Sequence, residues 1–367
     1  MRQVALILLT LFVVGPVSSA ELLGHFEPTG DMIQARAGHT ATLLTDGRVL
    51  IAGGSGDLTA ELYDPSTRTF KRTGDMTAAR SGHSATLLAD GRVLIAGGPG
   101  PNAEIYDPAK ERFTATGEML EDQFNHAATL LADGKVLIVG GERPTPPFPT
   151  AARPELYDPN NGTFSFATPH EIGVWPTANV LPNGKILIIA ANPPSLYDPA
   201  TGQFGSTGPM IEPGYQYAVE WHAATSLRDG SVLLTGGNDD WTCGGFNYAE
   251  LYDPLSGTFH VVGPMTTPHD IHTATLLQDG RVLVVGGGEG WCHMSTSSSA
   301  ELYDPETRRF TSAGHMTRSR SEHTATLLND GTVLIAGGFS YWPFDVAQSS
   351  ELFVPAYARS GRTRAHR

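Results

Sequence analysis

The sequence is poor in charge. Asp, Glu, Lys and Arg make up 17% of its 367 residues, where about 25% is usual for a globular chain. Long helices, coiled coils and solvated disorder do not suit so few charges. Cations are the scarcer sign: 24 Lys and Arg against 38 Asp and Glu leave a formal net charge of -14. Nothing Lys/Arg-rich occurs before the basic tail Arg359–Arg367. A phosphate backbone would be repelled, so nucleic acid is not an expected partner. Apolar runs are also missing, except at the start, where Val4 to Val14 is interrupted only by Thr10. That run is too short to cross a bilayer, which takes about 20 residues. Arg2 precedes it, and Gly15, Pro16 and the small residues Ser18, Ser19 and Ala20 follow. This is the layout of a signal peptide cut after Ala20. No Cys follows the cut, so no lipid anchor is expected there. The expectation is an exported chain, secreted or periplasmic, with no membrane span.

Gly and Pro are abundant. The 42 Gly and 26 Pro total 68 residues, about 19% against a usual share near 12%. Such a chain favours short strands and tight turns. One phrase accounts for most of them. HTATLLTDGRVLIAGG, His39–Gly54, returns from His83 and His126, and again from His222, His272 and His323. A worn copy runs from Pro176 to Ala191. The copies end at 54, 98, 141, 191, 237, 287 and 338, so the period is 43 to 51 residues. A second half follows, in which Tyr and Phe stand seven apart: Tyr63/Phe70, Tyr106/Phe113, Tyr157/Phe164, Tyr197/Phe204, Tyr252/Phe259 and Tyr303/Phe310.

Two β-rich runs flank an Asp-Gly or Asn-Gly turn, which reads as a hairpin. The second run is apolar at every position and needs cover on both faces. The Glu-Leu-Tyr and Phe segments supply a third and a fourth strand. Four antiparallel strands repeated radially describe propeller blades. The Gly-Gly doublet, the Tyr and the aromatic seven residues later resemble a kelch-type β-propeller of the galactose oxidase/kelch superfamily. The predicted fold is therefore all-β, with seven blades over residues 21–355, a signal peptide at 1–20 and a basic tail at 356–367. The seventh unit stops after Glu351-Leu352-Phe353, while His25–Met32 copies the fourth-strand pattern of Thr69–Met76. The N-terminal strand is expected to complete the last blade and remove its open edge.

The seven copies can be compared with one another. Positions that recur serve the scaffold, and a site is sought where copies diverge. The loops between strands 2 and 3 and the connections from strand 4 to the next strand 1 share one face of the disc. The 2–3 loops are long in blades 3, 5, 6 and 7. All five Trp fall in this set: Trp175 and Trp221 in connections, Trp241, Trp291 and Trp342 in loops. Tyr215, Tyr217, Tyr341, Phe344, Phe246 and Tyr248 accompany them, beside Asn238, Asp239, Asp240 and Glu289. Indole planes next to carboxylates and amides suit a sugar ring, although long loops also use Trp as their own core. The candidate ligand residues are Trp175, Tyr215, Tyr217, Trp221, Asp239, Asp240, Trp241, Trp291, Tyr341 and Trp342. Cys243 and Cys292 lie in matching loops of adjacent blades, and export favours a disulfide between them.

The resemblance also implies a chemistry to weigh. In the copper-radical oxidases of this superfamily the metal lies near the axis on this face, held by His and Tyr. The recurrent His39, His83, His126, His222, His272 and His323 start the innermost strands, yet Tyr precedes none of them. They read more simply as links between blades, and neither a metal nor a cofactor is expected. Glu61, Glu104, Glu155, Glu250, Glu301 and Glu351 open strand 3, and Arg36, Arg80 and Arg320 precede three of the histidines. Interblade Glu–Arg pairs are expected. The leading functional expectation is a monomeric, non-catalytic module that binds a carbohydrate or an extracytoplasmic protein on the aromatic face of blades 4–7. A sugar-active enzyme, oxidase- or epimerase-like, and a protein-interaction scaffold are the alternatives.

Overall fold

The computed structural model describes residues 23–144, 150–212, 219–238, 244–288, 295–341 and 344–357. Seven four-stranded antiparallel sheets stand around one axis. Their first strands touch in an unbroken cycle: Thr40–Leu43, Ser84–Leu87, Ala127–Leu130, Thr177–Val180, Ala223–Ser226, Thr273–Leu276, Thr324–Leu327, and back to Thr40–Leu43. The ring is thus closed. No helix among the described residues is long and apolar enough to cross a membrane.

The hairpin turn shows why the sequence repeats as it does. In blade 1, Leu44 donates its N–H to Arg48 O at 2.8 Å, and the Asp46 carboxylate accepts from Arg48 N at 3.0 Å. Gly47 carries φ +88°, which only glycine reaches without strain. The second strand then runs fully buried, as Val49–Ala52 does in blade 1 and its equivalents do in all seven blades. Burial on both faces requires partners outside the sheet. Among the described residues, seven apolar clusters provide them, and each spans two neighbouring blades. One joins Leu50 and Ala52 of blade 1 to Val93, Ile95 and Tyr106 of blade 2. Another joins Val333 and Ile335 of blade 7 to Leu283 and Val285 of blade 6. Each large aliphatic side chain so buried contributes roughly 1.5–3 kcal/mol.

The Gly-Gly doublet ends the second strand because two histidines press on it. A Cβ on Gly54 would lie 2.7 Å from His39 Cβ, and one on Gly53 would lie 2.9 Å from Cε1 of the next blade's His83. The seventh sheet runs Gly24–Pro28, Ser350–Pro355, Val333–Ala336, Thr324–Leu327. Phe26 opposes Phe353 across it. The N-terminal strand closes the last blade, as the sequence pattern predicts.

The Tyr/Phe pair seven residues apart is a directly opposed cross-strand pair, Tyr63 facing Phe70 with ring centroids 4.8 Å apart. The Tyr hydroxyl reaches the preceding blade. Tyr63 OH meets Thr29 Oγ1 at 2.8 Å, Tyr106 meets Thr73 at 2.7 Å, and Tyr157 meets Thr116 at 2.8 Å. Tyr252 meets Thr207 at 3.1 Å. Where the threonine position holds Ala313, the facing residue is Phe353, which has no hydroxyl to satisfy. Where it holds Val262, the Tyr303 hydroxyl is buried with no hydrogen-bond partner. Removing a bonded hydroxyl and removing a stranded one should therefore have opposite effects. Tyr106→Phe is expected to cost about 1 kcal/mol, and Tyr303→Phe to be neutral or stabilising. Urea unfolding of both variants checks this, and equal losses would contradict it.

Candidate functional site

The connections and long loops do share a face. Isolated bridges Phe124–Glu142, Glu220–Asn238, Asp270–Gly288 and Ser321–Phe339 tie each incoming connection to the 2–3 loop of its own blade. Each connection then turns at the axis into a first strand. The turning residue precedes the recurrent histidine, or Pro176 in the worn blade. All seven such residues are left-handed: Gly38 (φ +62°), Gly82 (+62°), Asn125 (+56°), Trp175 (+53°), Trp221 (+53°), Ile271 (+49°) and Glu322 (+51°). Backbone bonds join some of them around the ring. Gly38 N donates to Glu322 O at 3.1 Å, Asn125 N to Gly82 O at 2.8 Å, and Ile271 N to Trp221 O at 3.0 Å.

Glycine meets this geometry without strain, as blades 1 and 2 show. Five blades nevertheless carry a side chain, including the β-branched Ile271, at a cost on the order of 1 kcal/mol each. These seven positions all line one cavity of about 1140 Å³ at the mouth of the channel. Phe124, Asp122, Phe339 and Tyr341 line it as well, and Gly56, Gly98 and Gly100 leave it open on the side of blades 1 and 2.

Of the predicted ligand residues, Trp175, Trp221 and Tyr341 are brought together in this mouth. The two indoles meet edge to face, 5.6 Å apart at 68°. Tyr341 packs edge to face on Phe339 at 4.9 Å. The Glu142 carboxyl is raised above the ordinary carboxylate value by burial, although the Trp175 and Asn125 side chains hydrogen-bond to it. This contact anchors the Trp175 ring. Tyr215, Tyr217, Asp239, Asp240, Trp241, Trp291 and Trp342 lie outside the described residues, as do Glu289 and both cysteines of the expected disulfide. Other members of the expected surface are packing. Phe246 is buried in the core between blades 4 and 5 with Tyr248 against it, and Asn238 is buried, donating to Asp270 Oδ2 at 3.3 Å. The sequence reading also omitted Glu322, Asn125, Asp122, Phe124 and Phe339 from the site. For Asn125 and Glu322 the signal was their place directly before a recurrent histidine, where other blades carry Gly, Trp or Ile.

The histidines link blades, as expected. His39 Nε2 lies 3.0 Å from Thr324 Oγ1, His83 3.0 Å from Thr40, and His126 2.8 Å from Ser84. His222 and His323 bond Thr177 and Thr273 in the same way, each at 3.0 Å. Blade 3 offers Ala127 at the hydroxyl position, and its follower has Pro176 in place of His. Blade 5 offers Ala223, and His272 turns instead to Thr235 at 2.9 Å. Burial holds these rings neutral: His39, His83 and His323 fall to about 3, and His126 and His222 to about 4. His272 falls well below its ordinary value for the same reason.

Beneath the mouth lies the Glu level. Glu61 accepts from Ile33 N at 2.7 Å and Gln34 N at 2.9 Å, and pairs with Arg36 at 3.0 Å. Arg36 also donates to Gly53 O and Thr59 O, both at 2.8 Å. The expected interblade pairs are present: the backbone of each Arg is bonded to the loop of the blade it leaves, Arg36 N to Ala347 O, Arg80 N to Asp57 O and Arg320 N to Ser297 O, while its guanidinium reaches a Glu on the blade it enters. Arg36–Glu61, Arg80–Glu104 and Arg320–Glu351 each bind an incoming connection to the strand and loop of the blade it enters. The hydrogen-bonding reach of Arg along its own connection explains this. The other blades improvise. His269 serves Glu301 at 3.3 Å, and His170 serves Ser195 at 2.8 Å while stacked on Phe204. Blade 3 supplies only Gln123, and burial pushes the Glu155 carboxyl up to about 7. Blade 5 supplies Val219, and Glu250 is likewise raised by burial, its Oε2 unbonded among the described residues.

A kelch motif matches residues 272–317. No curated protein matches the chain. Among solved structures the chain is similar to a fungal alcohol oxidase of the AA5 family in complex with copper. The TM-score is 0.76 and the identity 18%, over 91% of this chain and 76% of that one. At this identity the likeness is one of fold. The fold is a seven-bladed β-propeller, one of whose repeats matches a kelch motif. The described residues hold no group of three or more His, Cys, Asp or Glu able to bind a metal ion. The recurrent histidines point Nε2 at hydroxyls, so they do not offer a copper ligand set.

The buried groups predict the pH response. A carboxyl at about 7 in the fold is protonated where the unfolded chain, near 4.5, is already ionised. Its contribution is present below 4.5 and is lost as pH rises through 7. Glu155→Gln should therefore raise the melting temperature relative to the parent at pH 8 and change it little at pH 5. Glu104→Gln strands Arg80 and should cost about 3 kcal/mol or more at both. The histidines act in the acid range. Between 6.5 and their folded values the unfolded chain binds more protons, so stability falls as pH drops from 6.5 toward 3. Calorimetry across pH 3–9 checks both limbs.

Proposed function

We propose that this chain is an exported recognition module that holds a ligand in the channel mouth, against Trp175, Trp221 and Tyr341. The observation that carries the reading is the left-handed ring. Five side chains are kept there against backbone strain although glycine would fold equally well, and all five face one cavity. Strain retained at one end of a scaffold that is otherwise regular points to use. A pyranose or similar ring fits the chemistry: its apolar face stacks on indole, and its hydroxyls meet Asn125 and the carboxylates. The glycine-lined side toward blades 1 and 2 leaves room for the remainder of a longer glycan. Export follows from the N-terminal pattern in the sequence.

The enzyme reading has the fold likeness to an alcohol oxidase behind it. The proposed recognition role and that reading separate in two measurements. A glycan-array screen followed by tryptophan-fluorescence titration should find a saturable ligand, and Trp175→Ala or Trp221→Ala should weaken it at least tenfold with the fold intact by circular dichroism. Metal analysis with a peroxide-release assay on alcohols and sugars should show neither copper nor turnover. Bound copper with peroxide release would establish the enzyme reading instead.

A further inference from the structure

The mouth also carries a charge preference, and this inference rests on the recognition reading. Two carboxylates line the cavity, Asp122 on the blade 3 side and Glu322 at the junction of blades 7 and 1. No Lys or Arg lines it among the described residues. Its two histidines, His39 and His323, are the neutral interblade links described above. Asp122 Oδ1 is buried without a hydrogen-bond partner among the described residues. The Glu322 carboxylate leans over Gly38, where a Cβ would lie 3.4 Å from Oε2, and no described residue hydrogen-bonds or ion-pairs with it. Five buried carboxylates elsewhere, Glu61, Glu104, Glu121, Glu301 and Glu351, have Arg or His partners, and Glu155 and Glu250 accept backbone N–H groups. Two left unserved in one aromatic cavity, in a chain of net charge -14, make a focused negative field. The walls add the negative faces of indole and phenol rings, which attract a desolvated cation.

We propose that the mouth selects a small ligand bearing an organic ammonium group, which the aromatic rings flank and the Glu322 and Asp122 carboxylates neutralise. An amino sugar and a quaternary alkylammonium share this chemistry, and the two sources are separated by the probes. Tryptophan fluorescence and calorimetry are run with two matched pairs: glucosamine oligosaccharide against its N-acetylated counterpart, and choline against the uncharged isostere 3,3-dimethylbutan-1-ol. At least one cation should bind tenfold or more tighter than its neutral partner. Glu322→Gln should remove most of that advantage, lowering the cation's affinity far more than the neutral partner's with the fold intact by circular dichroism, and Asp122→Asn should reduce it further. Glucosamine binding alone would identify an amino sugar, and choline binding a quaternary ammonium. Equal affinities within both pairs, or a cation whose affinity neither substitution alters, would overturn the proposal and leave the recognition reading standing. Silence from all four probes overturns the charge selection. If a broad neutral glycan panel is also silent, the recognition reading falls with it.

Discussion

Each second strand is apolar on both faces, and a sheet covers neither of its own faces. This need for a neighbour on either hand is what makes the molecule a ring. The seven apolar clusters lie between blades, so no blade owns a core, and a lone blade would expose what it is meant to bury. The polar contacts obey the same geometry. Histidine to hydroxyl at the top and tyrosine to threonine at the rim both cross blade boundaries, and the Arg–Glu pairs fasten each connection, bonded to the blade it leaves, onto the blade it enters. Apolar area supplies the bulk of the cohesion. The crossing hydrogen bonds set the rotation of one blade against the next, because a buried hydroxyl or imidazole without its partner is costly.

Regularity of this kind makes exceptions informative. Ala127 with Pro176, and Ala313 with Phe353, are pairs in which a lost partner is matched by a lost dependant on the adjoining blade. Ala223 with His272 is a third solution, in which the ring finds Thr235. Val262 beside Tyr303 is a mismatch left in place. At the mouth the exceptions are of another kind, since Trp175, Trp221, Ile271 and Glu322 stand in a left-handed position that two blades fill with glycine. They add strain, and what they share is a cavity.

Most of the architecture was legible because each structural demand was written seven times. The turn chemistry of Asp46-Gly47, the buried run Val49–Ala52 and the opposed Tyr63 and Phe70 could be recognised from one copy and checked against six. The completion of the last blade by Gly24–Pro28 was legible for the same reason, as a fourth-strand pattern out of place. The site was less so. Trp175, Trp221 and Tyr341 do meet in one cavity, but residue type could not tell Phe246 and Tyr248, which fill a blade junction, from rings that line it. Glu322 and Asn125 escaped attention because their meaning lies in the backbone angle they share with two glycines.

The strand that completes the ring comes from the opposite end of the chain to the sheet it joins. Gly24 faces Pro355, so the first described strand to be synthesised pairs with the last. Until then the seventh blade has a raw edge at Ser350–Pro355, and the first and last blades share no hydrogen-bonded strand. Circular permutation would separate the two roles of this seam: a chain reopened at one of the uniform 3–4 turns would keep every contact of the finished disc while moving the closing step to a different blade.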